Sequence, residues 1–388
     1  MFDRLLTWFG IDMGIDLGTS NTLVSVRGEG IVLNEPSVVA VHKNTSKVLD
    51  NGNAVGWRAK EMIGKTPGSI SAVRPLRDGV ISDFEITEAM LSYFIRKVNS
   101  SRIMGPRVVI AVPSGITAVE KNAVIDSAER AGARRVYLVP EPMAAALGAG
   151  LPVEEARGSM VVDIGGGTTE IAIISLGDIA TSDSVRVAGD DMDEAIMSHM
   201  RNTYNLTIGE QSAERIKLEI GTATTAAIGS LASPTIEVRG RDNVSGMPRA
   251  VTVTSEEICQ ALEEPVHQIT VAVKRTLERC EPELAADLIE SGMVLAGGGG
   301  LLRGLDTVLE EATGLKVTLA EDPSTCVARG TAEYLENLEE FKDSMDGSGG
   351  ALIGASPCPL PRKWDAHLGS VCWSRWLWPW PLRASDLK

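Results

Sequence analysis

Apolar residues in this chain gather in short, unbroken runs that end at glycine, proline or polar turns. The run 108–112 is wholly apolar and stops at Pro113, and 136–139 stops at Pro140-Glu141-Pro142. Runs this short, without alternation, predict strands buried on both faces. Between them the pattern changes to a helical period. Thr117 and Glu120 form a capping box that opens a helix running to about Ala131. Residues 143–150 read as a small-residue helix with Pro142 in its first turn. Ser212 and Thr254 mark further helix starts, and Glu257 completes a second capping box. Strands alternating with helices predict an α/β fold, its mostly parallel sheets covered by helices.

One signal occurs twice, once in each half of the chain. The first copy is Gly14-Ile15-Asp16-Leu17-Gly18-Thr19-Ser20-Asn21-Thr22, followed by Leu23-Val24-Ser25-Val26. The second is Val161-Val162-Asp163-Ile164-Gly165-Gly166-Gly167-Thr168-Thr169, followed by Glu170-Ile171-Ala172-Ile173-Ile174. Each reads as a β-hairpin with a glycine-rich tip. Such a tip suits anions, because glycine lets backbone N–H groups approach and hydroxyls add donors. An Asp beside a phosphate needs a cation between them, which makes Asp16 and Asp163 natural outer ligands of a hydrated Mg²⁺. Either hairpin alone could be a plain turn. The pair suggests two similar domains gripping one nucleotide.

A third glycine cluster, Gly297-Gly298-Gly299-Gly300, follows the apolar run Met293–Ala296 and precedes a helical pattern over 301–312. It is either a tight strand-to-helix turn or a bare backbone surface for a flat ring or a phosphate. Gly64-Lys65-Thr66 resembles the end of a P-loop, but Ala59 occupies the first glycine position and no buried strand precedes it. We read it as chance.

Composition narrows the function. A net charge of −15 with no Lys/Arg run argues against a nucleic-acid partner. The five cysteines are widely spaced without a CxxC pair, so a disulfide framework or zinc site is not expected and a reducing compartment fits. No apolar run reaches the roughly 18–20 residues of a membrane span. In the first ten residues Phe2, Leu5, Leu6 and Phe9 share one helical face with Trp8 at its edge, the pattern of an interfacial membrane helix, or of one docked on its own domain. Ile103 and Met104 are a second candidate insertion point. Residues 347–388 open on Gly347-Ser348-Gly349-Gly350, hold five of the seven tryptophans and show no periodicity. They read as a disordered tail, a frame-shifted end or a lipid-seeking segment.

Together these motifs resemble the actin, sugar kinase and Hsp70 ATPase superfamily. Residues 16–22 and 163–169 look like its two phosphate motifs, 293–304 its adenosine motif, and Glu141-Pro142-Met143-Ala144-Ala145-Ala146 and 322–335 its two connecting helices. The runs 32–39, 74–81 and 213–217 are similar to those of the MreB family of bacterial actins, and the resemblance covers roughly residues 10–340. Ser20 stands where that family is expected to have Ala, and Gly300 where Ala or Ser is usual.

The resemblance implies an actin-like ATPase fold, two duplicated ribonuclease H-like domains around a central nucleotide cleft. Domain I would be 11–152, with an insertion at about 41–73 and a return at 324–340. Domain II would be 153–323, with an insertion at about 190–253. The segment 1–10 would bind membrane, and 341–388 would be an atypical tail.

It also implies ATP/ADP and Mg²⁺ as cofactors, with Asp16 and Asp163 holding the metal through water. Amides of Gly18, Thr19, Ser20 and Asn21 would bind the β-phosphate, and Gly165, Gly166, Gly167 and Thr168 the γ-phosphate. Gly298 and Gly299 would pack on the adenosine, while Glu214 and Lys217 approach adenine and ribose. Glu141, assisted by Thr168, would position or deprotonate the attacking water. The implied protein is a cytoplasmic homopolymer of paired protofilaments on the inner membrane face, hydrolysing ATP slowly. It would work with rod-shape membrane proteins and the wall-synthesis machinery. A sugar kinase would need a catalytic Asp facing a sugar pocket, which Glu141 with water in line does not supply.

Overall fold

Each glycine-tipped hairpin founds a five-stranded sheet, and the two sheets have the same plan. The computed structural model describes residues 11–99, 105–228 and 233–337. Phe2, Leu5, Leu6, Phe9, Ile103, Met104 and the tail at 341–388 lie outside the described residues.

The first sheet contains β1 (Asp12–Leu17), β2 (Asn21–Val26), β3 (Gly30–Pro36), β4 (Arg107–Val112) and β5 (Arg135–Pro140), in the order β3-β2-β1-β4-β5. The second contains β6 (Ser159–Ile164), β7 (Thr169–Ser175), β8 (Asp178–Val185), β9 (Met293–Ala296) and β10 (Val317–Leu319), in the order β8-β7-β6-β9-β10. In both, the first three strands form an antiparallel meander and the last two add in parallel. Even the irregularity is repeated, a register shift at Val24/Ser25 in one and at Ile173/Ile174 in the other. Asp16 and Asp163 are the penultimate residues of β1 and β6.

The helices longer than one turn are α1 (Phe84–Val98), α2 (Ala118–Arg130), α3 (Glu141–Gly148), α4 (Gly189–Tyr204), α5 (Glu210–Ile220), α6 (Ser255–Glu278), α7 (Pro282–Ser291), α8 (Leu305–Thr313) and α9 (Cys326–Glu336). Alternation along the strands sorts the core into layers. Val108, Ile110 and Val112 of β4 face Met90, Phe94 and Val124 of α1 and α2. Val109 and Ala111, on the opposite side, join α3 and α9 and meet Val161, Ala172 and Ile174 of the second sheet. The other face of that sheet, Met160, Val162, Ile164, Ile171 and Ile173, packs on α4, α5 and α6. Strands buried on both sides explain why the apolar runs lack alternation. Smaller sheets extend the two halves: Val39–His42 with Ile70–Val73, and Leu206–Thr207 with Thr235–Asp242 and Pro248–Thr254. Among the described residues, no helix is long and apolar enough to cross a membrane.

Local signals hold for α2 and α6, each opened by a complete capping box, Thr117 with Glu120 and Thr254 with Glu257. Two expectations need correction. Ser212 is not a cap, because α5 starts earlier, after the extended Gly209. The helix expected over 301–312 is two pieces, a 3₁₀ turn at Gly298–Leu301 and α8, separated by Gly304 at φ +75°. Leu302 is buried in that break, so the apolar spacing survives while the helix does not.

The two middle-layer helices touch backbone to backbone. A Cβ on Gly148 would lie 1.8 Å from the Cys326 carbonyl oxygen, and one on Gly330 would lie 1.7 Å from that of Ala144. We expect Gly330→Ala and Gly148→Ala each to destabilise the protein by about 3 kcal/mol through overpacking, although alanine is the better helix former. Urea denaturation followed by circular dichroism checks this, and unchanged midpoints would refute it.

Candidate functional site

The tips of the two hairpins face one another. A Cβ on Gly166 would stand 2.2 Å from Ser20 Oγ, and one on Gly167 would stand 2.9 Å from Thr19 Oγ1, so only glycine fits at this approach. Each tip is held from behind. Ser37 Oγ donates to the Gly18 carbonyl at 2.6 Å, and Gly79 N–H donates to Thr19 Oγ1 at 3.3 Å. On the other side, the first N–H groups of α4, from Gly189 and Asp190, donate to the carbonyls of Gly165 and Gly166 at 3.2 and 2.7 Å.

Four carboxylates converge where the hairpins meet. Asp163 is 6% exposed, and its Oδ1 is buried with no hydrogen-bond partner. Burial pushes Asp163 up to about 8, helped by the charges of Asp16 and Glu170. Burial likewise pushes Asp16 up to about 7. Glu141, at the start of α3 where β5 ends, is raised well above the usual carboxylate range by burial and then by the charges of Glu170, Asp163 and Asp16. The two aspartates expected to share a metal thus lie within electrostatic reach of each other. An unpartnered buried carboxylate oxygen beside a second carboxyl is what a hydrated divalent cation would satisfy. Among the described residues no group of three or more His, Cys, Asp or Glu could hold a metal directly.

The third glycine cluster lies against the same place. Gly297, at φ +77°, approaches so closely that a Cβ would be 2.5 Å from Asp163 Oδ1, and a Cβ on Gly299 would be 2.4 Å from Ile164 Cγ2. Gly298 is exposed, with no atom within 4 Å of where a Cβ would stand. Glu214 and Lys217, one turn apart on α5, already have protein partners. Lys217 Nζ donates to the Gly189 carbonyl at 2.6 Å and pairs with Asp193 at 2.9 Å.

Three sets of contacts that sequence reading did not foresee complete the surroundings. Lys60 Nζ meets Glu214 at 3.0 Å, the Gln211 amide donates to the Lys60 carbonyl at 2.7 Å, and Arg74 lies 3.8 Å from Glu210, so α5 is tied to the first half's insertion. Ser20 Oγ donates to Asp190 at 3.3 Å, a bond between the halves that an alanine could not make. Glu170 is buried in β7 and is bonded by Ser114 and Ser184. Ser20 left a trace in the sequence as a departure from the family's expected Ala, and Glu170 as a lone charge inside an apolar strand.

The MreB/Mbl protein family profile matches residues 10–343. The cell shape-determining protein MreB of Escherichia coli (strain K12) is 54% identical over 341 residues, 87% of this chain and 97% of that protein. A crystal structure of MreB5 of Spiroplasma citri bound to AMPPNP is similar with a TM-score of 0.80 and 37% identity, over 87% of this chain and 99% of that one. Its structure bound to ADP gives 0.79 and 36%, over 88% and 99%.

The raised carboxyls make a signed prediction. Above about pH 4 an unfolded chain has released the protons of Asp16 and Asp163, while the folded, metal-free protein still holds them up to about pH 7–8. Their contribution to stability is therefore lost as pH rises through this window. We expect the melting temperature of metal- and nucleotide-free protein to fall by several degrees from about pH 5 to about pH 8. Asp163→Asn should flatten that slope and raise the melting temperature at its alkaline end. Differential scanning calorimetry decides the matter, and a slope unaltered by the substitution would count against it.

Proposed function

The chain belongs to the MreB/Mbl family of actin-like, cell-shape-determining cytoskeletal proteins, and from that membership we propose that it is an ATP-dependent filament protein of the cytoplasmic membrane's inner face. The observation that carries the nucleotide reading is the pair Asp16 and Asp163. They occupy the same position in duplicated hairpins, with an orphaned carboxylate oxygen between glycine-rich tips. In this reading residues 11–152 and 324–340 form one domain and 153–323 the other.

Asp16 and Asp163 would hold Mg²⁺ through water, and the ion would neutralise phosphate charge. Gly18, Thr19, Ser20 and Asn21 would receive the β-phosphate, and Gly165, Gly166, Gly167 and Thr168 the γ-phosphate. The open face at Gly298 and its neighbour Gly299 would take the adenosine, with Glu214 and Lys217 at its edge.

Hydrolysis of ATP to ADP and phosphate needs in-line placement of water more than covalent chemistry. Glu141 orients that water and accepts its proton as the oxygen bonds to the γ-phosphorus and ADP leaves with the electron pair. Burial, and then the neighbouring carboxylates, raise its proton affinity above that of an ordinary carboxylate, which favours taking up a proton. Thr168 supports the same water from the second sheet.

Slow turnover suits a polymer whose subunit affinity differs between ATP and ADP states. A head-to-tail contact that does not close gives an open filament, and protofilaments pair. The Phe2, Leu5, Leu6 and Phe9 face would bind lipid weakly per copy and strongly along a filament, with Ile103 and Met104 as a second contact. Rod-shape membrane proteins and wall-synthesis enzymes are the partners this reading implies.

Glu141→Ala should keep ATP binding while phosphate release falls about a hundredfold or more. A malachite-green assay beside nucleotide-binding titration checks it, and release at the parental rate would remove the assignment. A Phe2→Ala/Leu6→Ala/Phe9→Ala protein should no longer sediment with anionic liposomes, and undiminished sedimentation would exclude the membrane segment.

A further inference from the structure

The two hairpins differ at one telling position. Across the strand pair, Asp16 faces Leu23 in the first hairpin, while Asp163 faces Glu170 in the second. A buried leucine in one copy is thus replaced in the other by a carboxylate that is 1% exposed, inside a strand otherwise buried and mostly apolar. Burying that charge is costly unless it is fully hydrogen-bonded. Its partners are specific: Oε2 accepts from the Ser114 N–H at 3.0 Å and the Ser114 hydroxyl at 2.6 Å, and Oε1 accepts from the Ser184 hydroxyl.

Ser184 lies on β8, directly opposite Glu170 in the same sheet. Ser114 does not. It follows β4, so the Glu170–Ser114 bonds join the second sheet to the first. This link lies beside the proposed chemistry. Pro113, next to Ser114, packs with Thr168 around Gly79, where a Cβ would be 2.7 Å from Pro113 Cγ and 2.9 Å from Thr168 Cγ2. Glu170 also lies within electrostatic reach of Glu141, whose proton affinity is raised first by burial and then by the nearby carboxylates, Glu170 among them.

We propose that Glu170 is a positioning residue for ATP hydrolysis, holding the loop 113–115 so that Glu141, carried by the first sheet, and Thr168, carried by the second, address one water. The proposal rests on the ATPase reading above. The two groups belong to different sheets, so their separation is only as well defined as the link between those sheets. A misplacement of about 1 Å at such a site can lower a rate by about a hundredfold.

The test compares the parental protein with Ser114→Ala, Ser114→Thr and Glu170→Ala, measuring phosphate release at saturating Mg-ATP and the affinity for mant-ATP. Ser114→Ala keeps the Glu170 charge and removes only one hydroxyl of a loop, so it stays testable if Glu170→Ala fails to fold. The expected result is a release rate about tenfold lower in Ser114→Ala, with mant-ATP affinity unchanged and the rate restored in Ser114→Thr, which retains the hydroxyl. A merely structural role would lower affinity and rate together, and that outcome overturns the proposal. So does a parental rate in Ser114→Ala, or a Ser114→Thr protein that recovers nothing. A parental protein that binds mant-ATP yet releases no phosphate would instead remove the ATPase reading, and the positioning role with it.

Discussion

Like charge confined in a small volume is the constraint around which this molecule is arranged. Asp16, Asp163, Glu141 and Glu170 are brought together where water is largely excluded, and no lysine or arginine pairs with the first three among the described contacts. Such a cluster is tolerated in two ways, by retaining protons or by admitting a cation. The surrounding architecture keeps the second route open. Glycines at both tips leave the space unfilled, and the carbonyl groups of those tips are drawn backwards by Ser37 and by the start of α4. A fold that merely needed two turns at these places could have filled them with side chains.

The two sheets are joined by contacts of very different character. In the layer between them, residues of α3 and α9 pack with both sheets, and the two helices approach backbone to backbone at Gly148 and Gly330. Elsewhere, the halves meet through Lys60 with Glu214, Gln211 with the Lys60 carbonyl, Arg74 with Glu210, and Ser20 with Asp190. These are polar and partly exposed bonds, and the two ion pairs among them are each worth little in water and sensitive to salt. One end of the junction is therefore rigid and the other is easily opened and remade.

The fold was legible where its causes are local. Unbroken apolar runs predicted strands covered on both faces, and the duplicated Asp–glycine signal predicted paired hairpins, because each depends on residues adjacent in sequence. The capping boxes at Thr117 and Thr254 were read correctly for the same reason. Ser212 was misread because a serine ahead of an apolar period looks like a cap, whereas Gly209 opens the helix and Glu210 and Gln211, both good helix formers, already lie in its first turn. The run 301–312 was misread because a 3₁₀ turn, a break at Gly304 and a short helix keep the same apolar spacing as one continuous helix. That the two aspartates and the glycine tips come together in space was legible because duplication marked them. Glu170 was passed over because it lies in a run whose apolar character was taken as the whole message. The bonds of Lys60, Gln211 and Arg74 between the halves left no sequence signal, since neither partner is unusual alone.

The glycine contact between α3 and α9 has a mechanical meaning. Side chains at an interface can change rotamer and absorb displacement, whereas two peptide backbones in direct contact have almost no compliance. In the proposed polymer this seam would turn as one piece, and flexing within a subunit would be confined to the polar bonds between its halves. The give of those bonds would then fix the curvature of surface along which such a polymer can lie without strain.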